Sequence, residues 1–350
     1  MVFERVRARA PLRLGFGGGG TDVSPYCDAY GGVVLNATID LFAHVTVEPR
    51  DDGQVRLVAA DRDLAWIGPA ALPLRADPAL RLLEGVYDRC MREFARGEAI
   101  PMTLTSYADC PPGSGLGSSS GLVVAMVEAM RRFLGASLEA DALARLAFQI
   151  EREDLGLAGG HQDHWTAAFG GLNLMHFQTD GQVRVEPVAA APEVLREIES
   201  SLVLYFTGVS RESAAIIDEQ TANMRAGASR SLEGLHALKA GAFDMHQAVL
   251  AGDLDRFGRL LNAGWASKKL TAHNISSAEI DAVLAAAADF GVLGGKVSGA
   301  GGGGFMMFLV DPTRREALKR LLTGFGGVAQ GCRLEERGAE SWIAPPGGPG

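Results

Sequence analysis

Glycine constrains this chain more than any other residue: it supplies 45 of 350 positions, nearly twice the roughly 7% usual share, and is bunched. The bunches are GFGGGG at 15–20, GSGLG at 113–117, GLAGG at 156–160 and GAGGGG at 299–304. They abut apolar sequence, so they mark tight turns between ordered elements and not linkers. Such turns bring bare backbone close to a partner, and each bunch is a candidate binding segment.

Composition narrows what that partner can be. With 47% hydrophobic residues, a chain of 350 can bury about three quarters of its extended surface, which excludes a disordered or disulfide-dependent protein. A length above about 300 residues predicts two packed lobes with a cleft between them. The formal charge is −9, with no basic run longer than two residues, which argues against nucleic acid as a partner. Apolar runs such as LVVAMV at 122–127 and FMMFLV at 305–310 are six residues each and AVLAAAA at 282–288 is seven, whereas a membrane-crossing helix needs about twenty. Cys27, Cys90, Cys110 and Cys332 are scattered, without a C-x-x-C pair, and MVFERVRARA is no secretory segment, so a reduced cytoplasmic protein is expected.

Alternating and apolar stretches predict strands at 2–9, 33–48, 55–59, 102–107, 172–177, 183–188, 202–207 and 305–310. The second is long enough to contain a bend or bulge. Helical periodicity starts after Gly117, where Leu122, Val123, Met126, Met130 and Phe133 form a stripe, and recurs at 138–152. Further helices are expected at 193–199, 210–222, 232–240, 253–270, 276–290 and 314–322. A lobe boundary near residue 190 gives units 1–190 and 191–343, with a frayed tail at 344–350.

The strongest local signal is PPGSGLGSSSG at 111–121, between a predicted strand and a predicted helix. Its small residues let backbone N–H groups approach an anion, and a helix start adds unpaired donors and partial positive charge. Pro111, Gly113, Gly115, Leu116, Gly117, Ser118, Ser119 and Ser120 are therefore read as a phosphate-binding loop, with a plain N-cap as the alternative. One of the serines can also reach a divalent ion. The segment is not a P-loop, because G-x-x-x-x-G-K-[ST] is absent. Two segments satisfy G-x-G-x-x-G, at 15–20 and 299–304, but neither precedes a helix, so a dinucleotide dehydrogenase is disfavoured. In PLRLGFGGGGTD, at 11–22, Arg13 can pair with a phosphate and Asp22 can accept polyol hydroxyls, and Gly18, Gly19 and Thr21 are expected beside Asp22 at the substrate. A glycine turn with Asp22 capping its own backbone is the structural alternative.

Taken together in order, PLRLGFGGGGTD, PPGSGLGSSSG and KVSGAGGGGF resemble the three motifs of the GHMP kinases, over essentially the whole chain except its tail. Within that superfamily, RLGFGGGGTD, GGHQDHWTAAFGGLN and KKLTAHNISSAEID resemble the D-glycero-D-manno-heptose 7-phosphate kinases. The resemblance implies a two-lobed α/β fold: an N-terminal ATP-binding lobe like ribosomal protein S5 domain 2 and a C-terminal α+β, ferredoxin-like lobe. It implies phosphoryl transfer from ATP, with Mg2+, to the anomeric hydroxyl of the heptose phosphate. Fucose or galactose kinases of the same superfamily, and a catalytically silent nucleotide-binding protein, are the alternatives. A homo-oligomer is allowed by the sequence but not specified.

The same resemblance assigns roles. Asp163, in GGHQDHW, stands at the catalytic aspartate, or else caps the short helix after it. Glu151, in AFQIE, joins Ser119 in holding magnesium, or else pairs with Arg152 or Arg145 on the surface. Arg13 supports phosphoryl charge and Asp163, since a guanidinium cannot take a proton at neutral pH. His161 and His164 form an H-x-x-H pair that lacks the further ligands of a closed zinc site. A phosphate on the acceptor needs its own cations, and Arg211, Lys268 and Lys269 are the candidates, with Arg225 and Lys296 behind them. Gly301 and Gly302 are expected to make a close backbone approach beside the substrate.

Overall fold

The computed structural model describes residues 3–209 and 213–345. Two sheets organise it. The first contains β1 (Val6–Gly17), β2 (Gly32–Pro49), β3 (Gln54–Ala59), β4 (Leu64–Pro69), β5 (Met102–Ala108), β6 (Leu172–Phe177), β7 (Val183–Pro187) and, from the far end of the chain, β12 (Glu340–Ile343). Its order is β12-β1-β2-β5-β3-β4, with β6 pairing the first part of β2 and β7 pairing β6. The second sheet contains β8 (Leu202–Phe206), β9 (Gly294–Val297), β10 (Phe305–Leu309) and β11 (Val328–Gln330), in the order β11-β8-β10-β9.

β1 is the element that matters most for the site. Its first residues alternate in burial, as in a strand wet on one face, but from Ala10 onward every residue is buried. The cover comes from the helices Ser118–Phe133 and Gln162–Phe169 and, from the second half of the chain, Ser229–Ala251. The strand expected at 2–9 thus continues through Pro11 to Gly17. Proline is accommodated because the pairing slips there: Pro11 faces Phe42 while Leu12 faces Ile39, so β2 carries the bulge expected of a strand that long.

The expected boundary at 190 falls in the turn between β7 and the helix Pro192–Ser201, while β12 crosses back to pair with β1. Ala344, within the expected tail, is buried, and its N–H donates to Arg5 O. The helix expected at 138–152 runs as an α-helix over Ala140–Phe148 and then widens to π geometry at Gln149–Asp154, a distortion frequent at functional positions. Among the described residues, no helix is long and apolar enough to cross a membrane.

Candidate active site

The amino end of the helix Ser118–Phe133 opens onto a cleft of about 260 Å³ between the two sheets. Gly117, the residue before it, has φ +77°, a left-handed conformation that favours glycine. A Cβ there would lie 3.1 Å from Asp163 Cγ, so the bare backbone brings the helix start and the carboxylate together. Gly113, Gly115, Gly117, Ser118, Ser119 and Ser120 line the cleft. Pro111 is exposed and stands outside it, and Leu116 is fully buried, contributing its carbonyl to the Arg13 N–H.

Arg13 and Asp163 form a two-pronged ion pair: Nε donates to Oδ1 at 2.6 Å and Nη2 to Oδ2 at 3.0 Å. The third guanidinium nitrogen, Nη1, donates to Gly115 O at 2.5 Å, tying the pair to the phosphate loop. The Arg13 side chain is 7% exposed and that of Asp163 is 19%, so the carboxylate keeps an open side toward the cleft.

Glu151 is 1% exposed and lies on the π-helical segment. Its Oε1 accepts from Ser119 Oγ and its Oε2 from Ser120 Oγ, both at 2.6 Å; His164 Nε2 lies 2.7 Å from Oε2 and Arg152 Nη1 3.3 Å from Oε1. Burial pushes the Glu151 pKa up, but His164, Arg152 and Ser119 together outweigh it and hold the carboxyl below the usual carboxylate range. A buried, ionised carboxylate beside a serine hydroxyl, at a helix start suited to phosphates, has the hard oxygen chemistry that Mg2+ takes. Arg152 also donates to Ser120 Oγ and Leu157 O, which places Ser120 and the 157–160 turn around one guanidinium. The two histidines of H-x-x-H serve different partners: His164 faces Glu151, while His161 stacks on Phe148 and its Nδ1 lies 2.7 Å from Asp22 O.

Asp22 lines the cleft, as its sequence reading requires, but is also engaged within the protein. It is 1% exposed, and its carboxylate accepts from Gly20 N at 3.0 Å, Gln162 N at 3.1 Å and Gln162 Nε2 at 3.2 Å. A Cβ at Gly160 would lie 2.0 Å from Asp22 Oδ2, so the glycine of the 156–160 bunch is what lets the two loops meet. Asp22 thus fastens the two loops together at the wall of the cleft. Gly18 and Thr21 belong to the same fastening: a Cβ at Gly18 would lie 1.9 Å from Val33 O, and Thr21 Oγ exchanges hydrogen bonds with Val33. Gly19 does line the cleft.

The basic candidates separate sharply. Lys268 is buried in the cleft, with Nζ donating to Gly19 O and Gln220 Oε1. Lys269 points away and approaches Asp281 at 4.0 Å with 43% of its side chain exposed, because consecutive helical residues diverge by roughly 100°. The expectation that the two act as a pair is corrected. Lys268's companion is Lys296, whose Nζ donates to Gly15 O at 2.7 Å and Phe16 O at 3.2 Å. Burial lowers the Lys268 pKa to about 8, with Arg13 adding to the effect and Asp22 opposing it. Burial, then Lys268, then Arg13 lower Lys296 to about 7. Arg211 lies outside the described residues, and Arg225 is exposed.

The glycine loop at 299–304 does fold onto the phosphate loop: Ser298 Oγ donates to Gly115 O and Phe305 N to Ser114 O. Gly301 and Gly302, however, rest on Ile275 and not on the cleft. A Cβ at Gly301 would lie 2.8 Å from Ile275 O, and Gly302 N donates to the same carbonyl; Gly299 and Ala300 are the cleft-lining members.

A helix mouth for phosphates, a carboxylate gripped by arginine beside it, and a second lobe pressing a glycine loop onto both define a small-molecule kinase. Residues 81–171 match the model of the GHMP kinases N-terminal domain and residues 245–326 that of the GHMP kinases C-terminal domain. The chain belongs to the GHMP kinase family and is an ATP-dependent enzyme of that family. It is 39% identical over 339 residues, covering 97% of this chain and 99% of the relative, to D-glycero-alpha-D-manno-heptose 7-phosphate kinase of Campylobacter jejuni subsp. jejuni. Among solved structures it is similar to a D-glycero-D-manno-heptose 1-phosphate kinase from Bacteroides thetaiotaomicron, with TM-score 0.82 and 39% identity, covering 97% of this chain and all of the other. It is also similar to a putative sugar kinase from Campylobacter jejuni, with TM-score 0.81 and 37% identity over 98% of this chain and all of that one.

Proposed function

We propose that this ATP-dependent sugar kinase transfers the γ-phosphoryl group of ATP to the anomeric hydroxyl of D-glycero-D-manno-heptose 7-phosphate, giving the 1,7-bisphosphate and ADP. The observation that carries the reading is the layout along one cleft: Asp163 and Arg13 at the helix mouth, and two ammonium groups, the half-buried Lys296 and the buried Lys268, further along β1 and its turn. A sugar with a reacting hydroxyl at one end and a phosphate at the other matches that order.

The triphosphate lies against the N–H groups of 113–120 and the start of the helix. Asp163 orients the acceptor hydroxyl and takes its proton as the new O–P bond forms and the bond to ADP breaks, and that proton then passes to solvent. Arg13 holds Asp163 in one orientation and places positive charge beside the group in transit. Mg2+ would be held by Ser119 and Glu151, where it supplies charge neutralisation to the phosphates. Glu151→Gln should raise the Mg2+ concentration for half-maximal rate by roughly tenfold to a hundredfold. Magnesium titration of the rate measures this, with melting temperature and metal-free ATP binding as controls; an unchanged titration would remove Glu151 from the metal site.

The acceptor is tested by a panel of heptose 7-phosphate, heptose 1-phosphate, unphosphorylated heptose, fucose and galactose, each over a range of pH. An anion between Lys296 and Lys268 favours their protonated forms, whose pKa values in the free enzyme are lowered to about 7 and about 8. Affinity for the phosphorylated acceptor therefore falls as pH rises through that range, with KM climbing toward tenfold per pH unit for each ammonium required, roughly. The free enzyme behaves oppositely. Its depressed lysine pKa values mean that the unfolded chain binds more protons between about pH 7 and about pH 10, so unliganded stability rises with pH across that window. Faster turnover of an unphosphorylated sugar, with a flat KM profile, would overturn the assignment.

A further inference from the structure

We infer that Gln162 selects the acceptor by taking a hydrogen bond from one of its hydroxyl groups, and that Asp22 acts by holding Gln162 in the orientation that makes this so. Gln162 is 91% buried, yet its residue lines the cleft immediately beside Asp163. Its Oε1 is the only buried side-chain oxygen or nitrogen lining the cleft, among the described residues, that has no hydrogen-bond partner in the protein. A buried carbonyl left unpaired costs roughly 1–3 kcal/mol, so a site that maintains one has a donor to supply from elsewhere.

Which end of the amide faces the cleft is decided by charge. Asp22 is an acceptor and already binds Gln162 N and Gln162 Nε2. Turning the amide over would set Oε1 against a carboxylate oxygen and lose a hydrogen bond. Asp22 is itself pinned by Gly20 N, so the chain Gly20, Asp22, Gln162 has one arrangement. The oxygen then lies over Gly15, where the missing side chain leaves it uncovered: a Cβ there would sit 3.6 Å from it. The carbonyl of Gly15 accepts a hydrogen bond from Lys296 Nζ. A ligand entering above Gly15 meets a neutral acceptor, a cation and the Asp163 carboxylate within one stretch of wall. That set calls for a molecule with both O–H donors and a negative charge, a phosphorylated polyol. The inference rests on reading the cleft as a sugar site, and it adds Gln162 to the residues that recognise hydroxyl groups there.

The test pairs a substitution with a matched set of singly deoxygenated acceptors. Gln162→Met keeps the length and bulk of the side chain and removes the acceptor oxygen. In the unsubstituted enzyme one deoxy analogue should lose roughly tenfold or more in kcat/KM relative to the parent sugar. In Gln162→Met the parent should fall by a similar factor, chiefly through KM, while the penalty for that analogue disappears and the penalties for the others stay. Asp22→Asn, which frees the amide to turn, should reduce the same penalty without abolishing ATP binding. Melting temperature and ATP affinity show whether each variant is folded. If the penalties of all deoxy analogues persist in a folded Gln162→Met enzyme, Gln162 takes no hydroxyl and the inference is wrong. If the unsubstituted enzyme fails to phosphorylate the heptose 7-phosphate at all, it is the proposed function that has failed, and the deoxy series of whichever sugar it does phosphorylate decides the role of Gln162.

Discussion

Asp163→Asn is expected to lower kcat by roughly a hundredfold to ten-thousandfold while ATP and acceptor affinities remain close to those of the unsubstituted enzyme. Asparagine keeps the shape of the side chain and one acceptor oxygen, so Arg13 Nε or Nη2 retains a partner and the loop contact of Nη1 to Gly115 O stands. What disappears is the negative charge and the capacity to take a proton. Because Asp163 sits on the helix Gln162–Phe169 with an open side to the cleft, the substitution leaves the packing of that helix intact. Single-turnover rates at saturating ATP, alongside equilibrium binding of both substrates, separate chemistry from affinity. Near-normal turnover would show that Asp163 only anchors Arg13.

Gly115→Ala should have the second large effect, for a different reason. Gly115 has φ +80°, and a Cβ there would lie 2.5 Å from the carbonyl oxygen of Ser298, backbone against backbone, with no flexible side chain to give way. Its own carbonyl holds both Arg13 Nη1 and Ser298 Oγ, so a shift at this residue disturbs the ion pair and the seating of the 299–304 loop together. We expect a loss of roughly 1–3 kcal/mol in stability, and ATP binding weakened by an order of magnitude or more. Gly135→Ala is the matched control: its φ is +71°, but a Cβ there has nothing within 4 Å. It carries the backbone strain without the collision, and denaturant unfolding of the two variants isolates the contact. Equal losses in both would mean that the lobes do not depend on this close approach.

What could be read from the sequence followed the physics of each signal. Strands with alternating or unbroken apolar residues and long periodic helices were legible, since β2, β5, β6 and the helix Ser118–Phe133 carry their pattern within themselves. β9 was not, because GGKV has little side chain to pattern. Its glycines are there for close neighbours, a Cβ at Gly294 lying 2.0 Å from Gly258 O and one at Gly295 2.5 Å from the Phe308 ring. The helix Arg81–Phe94 was missed although RLLEGVYDRCMREF buries Leu83, Val86, Tyr87, Cys90 and Met91 along one face; its periodicity was there to find. At the site, residue types predicted chemistry better than partners. Arg13, Asp163, Ser119 and Glu151 converge, but Lys269 was chosen for its nearness in sequence to Lys268, and helix rotation undoes that nearness. Lys296, 28 positions further on, reaches the cleft only because β9 runs beside β10 in the second sheet. Asp22 was read as an acceptor for a ligand alone because nothing in PLRLGFGGGGTD reveals that a segment 140 residues away also donates to it.

The return of β12 to the edge of β1 bears on how the protein is made. During synthesis the other strands of the first sheet emerge long before residues 340–343, so the newborn lobe leaves the ribosome with the outer edge of β1 unpaired at Val6, Arg7, Ala8 and Arg9. Arg7 and Arg9 put two charges on that short edge, the kind of residue that discourages pairing with another chain. Closure of that edge therefore has to wait until the second half of the chain has been translated.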